Sequence, residues 1–475
     1  MKITVREIVK ATRGRLMAGD PGRTVEHIAL DSRHMEGADL FVPIIGEKTD
    51  GHKYIINAFE NGAEAAFTSE HDELTPELGQ FCVPLVPSPS RELIRVEDTV
   101  KALQDLGLYL RSLFAMPVVG ITGSVGKTTT RELVSCALSG GLKVTATEGN
   151  SNGQLGVPVT LGRMDPSADI AVMEMGMSEP GEMARIAAIA KPDIALITNI
   201  GVSHIENLGS RENIFKEKLH IADGFGEKNT LIVNGDDDWL STLKGRTACR
   251  LITYGLQPGN DLTAKHVVSD GMTTRFTLVM DLDGVPVEKE VRLNVPGNHN
   301  VMNALAAAAA AVTAGVDLDA AIGALQKFRG FKRRLQWVDG KSVRILDDSY
   351  NASPESSMAA ARVLSETACS GRRVMVFADM LELGGAAEGF HRDVCNYVNA
   401  LGLDLLITIG RLAGKGADLS KAAKDGRMPV RSFANNAEAM EALPSLLQKD
   451  DYVLVKGSNG MHLEEIVSFL REMAL

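Results

Sequence analysis

The densest chemistry in the chain lies in VVGITGSVGKTTTREL, Val118 to Leu133. An apolar run meets Gly123, Ser124 and Gly126, then Lys127-Thr128-Thr129, then a segment with helical spacing. Backbone N–H groups from Gly123 to Thr128, backed by a helix dipole, make an anion site. There Lys127 would reach the β- and γ-phosphates of a nucleotide and the Thr128 hydroxyl would help hold Mg²⁺. The usual phosphate loop carries a further glycine five residues before Gly126, and this chain has Ile121 there.

Other candidate groups stand at the ends of apolar runs. ADIAVMEMG closes on Glu174, a carboxylate that is costly among apolar neighbours unless paired or bound to metal. IALITNIGVSHIENLGS brings His204 and Glu206 just past a strand end, where ligands bind in doubly wound sheets. Fourteen residues beyond His204 comes Lys218. Taken singly, Glu174 could cap a sheet edge, His204 could be a packed ring and Lys218 a surface cation.

Positioning these groups takes a particular kind of scaffold. Short apolar strand candidates (PVVGIT, DIAVMEMG, DIALITNIG, NTLIVNG, RLITYG) alternate with helical patterns, which indicates a mostly parallel sheet covered on both faces. The period changes to two on either side of Asp283-Gly284, a hairpin signal. The alanine-rich run from Ala304 to Val312 reads as a buried helix. A second strand–helix alternation follows: SVRILDDS, RRVMVFADM, DLLITIG, DYVLVKGS. The expected fold is therefore α/β with three domains. Residues 1–95 form a small mixed α/β domain, 96–330 a central, mostly parallel, doubly wound ATPase-type domain, and 331–475 a Rossmann-like domain. The segment Val96–Phe114 links the first to the second.

Composition limits the function classes. The net charge of −11, with no basic block to offset it, argues against a nucleic-acid binder. Five scattered cysteines read as reduced thiols, which suits the cytoplasm. The longest apolar run falls short of the roughly 20 residues a bilayer span needs, so no membrane insertion is expected.

The form T-G-x-x-G-K-T-T at Thr122–Thr129 resembles the phosphate loop of the Mur ligase family of ATP-dependent amide-forming enzymes, in which Ile121 is ordinary. The resemblance runs through DSR (Asp31–Arg33), GEKTDGH (Gly46–His52), GNSNGQLGVPVTL (Gly149–Leu161), PGNHNVMNALAA, DDSYNASPESS and ADMLELG. It implies the branch whose substrates are UDP-N-acetylmuramoyl-tripeptide and D-alanyl-D-alanine. It also implies ATP and Mg²⁺ as cofactors, and a cytoplasmic monomer. Glu174 and His204 match the family's magnesium ligands, with Lys127 catalytic beside them. Lys218 matches a lysine carbamylated by CO₂; a carbamate offers Mg²⁺ oxygen ligands where an ammonium would repel it. Asn300 and Asn303 match contacts to the adenine side of ATP. Arg334 and Asp348 match contacts from a closing C-terminal domain, and Ser32, Arg33, Asn150 and Asn152 match segments that hold the UDP-substrate.

The chain departs from the family pattern at Gly153, Ser353, Ala378 and Asn459, positions that bear on acyl-substrate and amine recognition. A sister ligase that adds a diamino acid would carry D-N-P-R, but the chain has no Asn-Pro pair. Folylpolyglutamate synthases are the other enzyme alternative. A nucleotide-dependent switch is the alternative outside enzymes, and the N-K-x-D base-reading motif is missing.

Overall fold

The computed structural model describes residues 2–46, 49–83, 90–281, 284, 286–421 and 428–475. Three large sheets organise them, one in each of three α/β domains, and a two-stranded antiparallel sheet pairs Ile3–Thr4 with Thr24–Val25.

The N-terminal sheet has five strands, in the order Arg15–Ala18, Glu92–Arg95, Ala63–Thr68, Asp39–Phe41, His27–Ala29. All but the first junction are parallel. The helix Val5–Thr12 starts on a capping box, with Thr4 accepting from the Glu7 N–H and Glu7 reaching back. The helix Thr99–Ser112, capped by Asp98, runs from this domain into the next. It buries Ala102, Leu103, Leu106 and Leu110. A Cβ on Gly107 would come within 2.9 Å of Pro158, so glycine is needed for this close helix contact.

The central sheet has nine strands: Val287–Leu293, Thr274–Met280, Leu262–Ser269, Arg250–Gly255, Thr230–Asn234, Ile194–Ile197, Val118–Thr122, Ile170–Glu174 and Val144–Ala146. Pairing is parallel from Val144–Ala146 through Leu262–Ser269 and antiparallel beyond. The expected hairpin strands pair as Thr274–Met280 with Val287–Leu293, and Asp283 at their turn lies outside the described residues. The helix Lys127–Leu138 packs on one face beside the alanine-rich helix Asn298–Thr313, whose Ala304 and Ala306–Ala311 are fully buried. Small side chains let these two helices approach each other and the sheet closely. Helices Thr99–Ser112, Gly156–Arg163 and Glu182–Ala190 cover the other face.

The C-terminal sheet runs Gln336–Asp339, Arg344–Asp348, Tyr452–Lys456, Arg373–Ala378, Leu405–Ile409, Val430–Phe433, parallel except at the first pair. The described cysteines are free thiols. No helix among the described residues is long and apolar enough to cross a membrane.

The strand Val118–Thr122 lies between Ile194–Ile197 and Ile170–Glu174, so the chain leaves it to opposite sides. Such a switch point opens a crevice at the carboxyl ends of the strands. Thr122, Glu174 and Ile197 all end there.

Candidate active site

Backbone geometry builds the phosphate loop first. Gly123 has φ +147°, and a Cβ there would stand 1.8 Å from Oγ1 of Thr198. Gly126, at φ +87°, caps the helix Lys127–Leu138. The loop is clamped from the neighbouring strand. The N–H groups of Ser124 and Val125 donate to O (3.0 Å) and Oδ1 (2.9 Å) of Asn199, whose Nδ2 donates to Val125 O (2.9 Å). The amides of Ser124 and Val125 are thereby used within the protein. Of the cradle expected over Gly123–Thr128, the helix-first-turn end is what keeps donors for an anion.

Lys127 Nζ donates to Gly123 O at 2.8 Å. Burial holds its pKa below the usual lysine value; Glu174 opposes that shift and Arg334 adds to it. Glu174 is buried, with both oxygens engaged. Oε1 accepts from Asn152 Nδ2 (2.7 Å) and Thr128 Oγ1 (3.2 Å), and Oε2 accepts from Arg131 Nη1 (3.2 Å). Arg131 was not anticipated from the sequence. It is 1% exposed and also donates to Gly149 O at 2.8 Å, joining the loop helix, the carboxylate and the 149–154 turn. In TTTREL it looks like an ordinary helical cation; only the third dimension shows it facing inward.

The C-terminal domain closes the opposite wall. Arg334 Nη2 donates to Thr128 Oγ1 at 3.1 Å, and its guanidinium lies 4.1 Å from the Tyr350 ring centroid. Its Nε is buried without a partner, an orphaned donor in the crevice wall. Asp348 pairs with Lys456 at 2.6 Å, and Lys456 also donates to Asn351 O at 2.6 Å. Burial lowers the Lys456 pKa while Asp348 opposes the shift. Desolvation likewise pushes the half-buried His299 down to about 4, leaving its imidazole neutral.

These groups line one cavity of about 520 Å³. Its walls hold Ser124, Gly126, Lys127, Thr128, Thr129, Asn150, Asn152, Glu174, His204, Asn300, Asn303, Arg334 and Asp348. Asn303 Oδ1 accepts from Thr130 Oγ1 at 3.1 Å, tying the asparagine pair to the loop helix. Gly153 and Ser353, two of the departures, also face this space. Ser353 is the N-cap of the helix Pro354–Glu366.

Lys218 is 1% exposed on the helix Arg211–Leu219. Burial lowers its pKa well below the usual lysine value, and Lys127 pushes the same way. Its neighbour Glu217 is turned aside to accept from the N–H groups of Gly181 and Met183, both at 2.9 Å. Ser32 and Arg33 lie away from the cavity. Ser32 is buried and donates to Asn57 Oδ1 at 2.8 Å, while exposed Arg33 forks onto Asp31 at 2.9 and 2.6 Å. Asn150 and Asn152, expected with them, line the cavity, and Asn152 donates to Glu174.

The donor set suits a divalent cation. An anionic oxygen of Glu174 beside the Thr128 hydroxyl, oriented by Asn152 and Arg131, is the hard-oxygen environment Mg²⁺ favours. The cavity, the unpartnered Nε of Arg334 and the loop together suit a nucleoside triphosphate.

Three family models match the chain: Mur ligase family, catalytic domain over residues 24–108; Mur ligase middle domain over 121–311; and Mur ligase, glutamate ligase domain over 333–459. The UDP-N-acetylmuramoyl-tripeptide–D-alanyl-D-alanine ligase of Bacillus subtilis (strain 168) is 36% identical, covering 100% of both chains. The enzyme of the same name from Escherichia coli (strain K12) is 33% identical over 99% of both. Among solved structures, MurF from Acinetobacter baumannii superposes with a TM-score of 0.86 at 30% identity, covering 100% of this chain and 99% of that one. MurF from Thermotoga maritima in complex with ADP gives a TM-score of 0.78 at 26% identity, covering 94% and 97%.

Proposed function

The chain belongs to the Mur ligase family, and we propose that it joins D-alanyl-D-alanine to UDP-N-acetylmuramoyl-tripeptide with conversion of ATP to ADP and phosphate. It is an ATP-dependent carboxylate–amine ligase of peptidoglycan precursor synthesis. The observation that carries this reading is the meeting of two domains over one phosphate loop: Arg334 reaches Thr128 across a cavity that also holds Lys127 and Glu174.

In this reading the substrate carboxylate attacks the γ-phosphate, giving an acyl phosphate and ADP. The amine of D-alanyl-D-alanine then attacks the acyl carbon, and phosphate leaves from the tetrahedral intermediate. Lys127, the first-turn amides and Arg334 offset charge that builds on the transferred phosphoryl group. Asn300 and Asn303 face the adenine side. Asp348, held by Lys456, contacts ATP from the closing wall. Ser32, Arg33, Asn150 and Asn152 hold the UDP-substrate, and the closed cavity keeps water from the acyl phosphate.

Thr128, Glu174, His204 and Lys218 would hold Mg²⁺, which supplies charge neutralisation and alignment of the phosphates when bound. Lys218 serves as a carbamate. Its depressed pKa favours the neutral amine, the form that adds CO₂ with release of one proton. The product sets an attractive anion beside Lys127. Domain boundaries near residues 95 and 330, a monomeric state and a cytoplasmic location complete the proposal.

Incubation with ATP, Mg²⁺, UDP-N-acetylmuramoyl-tripeptide and D-alanyl-D-alanine tests it. Phosphate release should track an amide product seen by mass spectrometry, and should need the acyl acceptor. Nucleotide hydrolysis without any amide would overturn the reading.

A further inference from the structure

Two residues with left-handed backbones meet between the central and C-terminal domains. His204 has φ +63° and Glu382 φ +62°, a region that side chains rarely adopt. Oε2 of Glu382 lies 2.7 Å from Nδ1 of His204. That nitrogen is buried and has no aligned hydrogen bond, so the Glu382 carboxylate stands beside it at contact distance.

The segment carrying Glu382 is braced on several sides. His391 accepts the Met380 N–H through Nε2 at 2.8 Å and donates from Nδ1 to Ala387 O at 2.6 Å. Ser458 Oγ accepts the Leu381 N–H at 2.9 Å. Met380 and Leu383 are buried, whereas the Glu382 side chain is 62% exposed and projects to the other domain. A Cβ on Gly384 would lie 3.5 Å from Cα of Glu206, so the loop rests directly on the turn that presents His204.

We propose that Glu382 is a positioning residue for the reaction: with the domains closed, its carboxylate holds Nδ1 of His204 and leaves Nε2 as the nitrogen available to the metal. This rests on the reading of His204 as a metal ligand. A carboxylate on the far nitrogen sets the tautomer, orients the ring and makes it a better ligand. Because the carboxylate arrives from the C-terminal domain, closure and metal affinity become linked, and each strengthens the other.

The test is a Mn²⁺ titration of the full chain with ADP, free ion being read by electron paramagnetic resonance. Wild type is compared with E382A, E382Q, H204A and H204A/E382A. E382A should weaken Mn²⁺ binding by about 10- to 100-fold. E382Q, which keeps an acceptor oxygen, should lose much less. Removing Glu382 in the H204A background should change nothing further, because its effect runs through the imidazole. Wild-type affinity in E382A beside a weakened H204A would overturn the proposal. So would an equal loss from E382A in both backgrounds, since Glu382 would then act only as a domain tether. Unchanged Mn²⁺ binding in H204A itself would remove the metal-ligand reading, a separate failure.

Discussion

Lys218 and Arg131 are both buried basic side chains near the phosphate loop, yet their surroundings assign them opposite chemistry. Lys218 has Lys127 pushing against its charge and Glu217 turned away. Arg131 has Glu174 within 3.2 Å, and both side chains are 2% exposed. Lys218→Ala should therefore be nearly inactive and partly rescued by short carboxylates that restore an oxygen ligand. Lys218→Arg should stay inactive, since guanidinium keeps its charge and forms no comparable stable carbamate. Turnover assays with and without added acetate check both, and full activity in Lys218→Arg would sink the carbamate. For Arg131 the expectation concerns stability. Arg131→Met leaves Glu174 buried without its cation, which typically costs about 3–5 kcal/mol. Adding Glu174→Gln removes the stranded charge, so the double variant should melt above Arg131→Met alone. Thermal unfolding of the two decides it, and an identical loss in both would show that Arg131 matters for packing and not for holding the carboxylate.

The loop that carries Glu382 shows how an element's stability can follow pH. His391 sits fully buried against Phe377, and desolvation lowers its pKa from the ordinary 6.5. Between that lowered value and 6.5 the unfolded chain binds the proton that the folded chain refuses. Stability from this group is thus complete above pH 6.5 and lost as pH falls through the folded pKa. His391→Phe keeps a ring but removes both hydrogen bonds and the titration. Its Tm should lie below wild type at pH 7, and the gap should narrow as pH drops toward 5, as scanning calorimetry can measure. A gap that widened would reverse the assignment. Elements of this kind also mark where sequence reading stops. The strands Ile170–Glu174 and Ile194–Ile197 were legible because continuous apolar runs ended in Glu174 and led to His204. Leu262–Ser269, Gln336–Asp339 and Val430–Phe433 were not, because strands with an exposed face and polar residues (LTAKHVVS, QWVD, VRSF) lack that run. The loop residues were readable from local spacing. Arg131 and Lys456 were not, since each acquires its role only by facing a carboxylate, Glu174 or Asp348, that is distant in sequence.

Across the whole molecule, contacts between domains are of two kinds. The N-terminal domain is fastened to the linking helix by Thr99 Oγ1 donating to Pro43 O (2.6 Å) and Tyr109 donating to Glu7 (2.9 Å). The C-terminal domain instead rests on the rim of the cavity. Trp337 Nε1 donates to Gly271 O at 3.0 Å, and Arg334 reaches Thr128. A Cβ on Gly271 would come within 2.2 Å of Thr367 Oγ1, and one on Gly297 within 2.9 Å of Val363 Cγ2. Glycines thus stand where the two surfaces meet most tightly. If the first domain holds the UDP-substrate while the last completes the ATP site on closure, the two should separate in kinetics. Arg33→Ala would then remove a contact made equally in the bound and reacting states, so it should raise the KM of the UDP-substrate by about tenfold with kcat little changed. Asp348→Ala breaks a pair with Lys456 that stands on the closing wall, so kcat should fall or the ATP KM rise, by about tenfold or more, with the UDP-substrate KM nearly unchanged. Varying each substrate in turn makes the comparison. Should Asp348→Ala leave kcat and every ATP parameter intact while Arg33→Ala disturbs ATP alone, the two domains do not divide the substrates in this way.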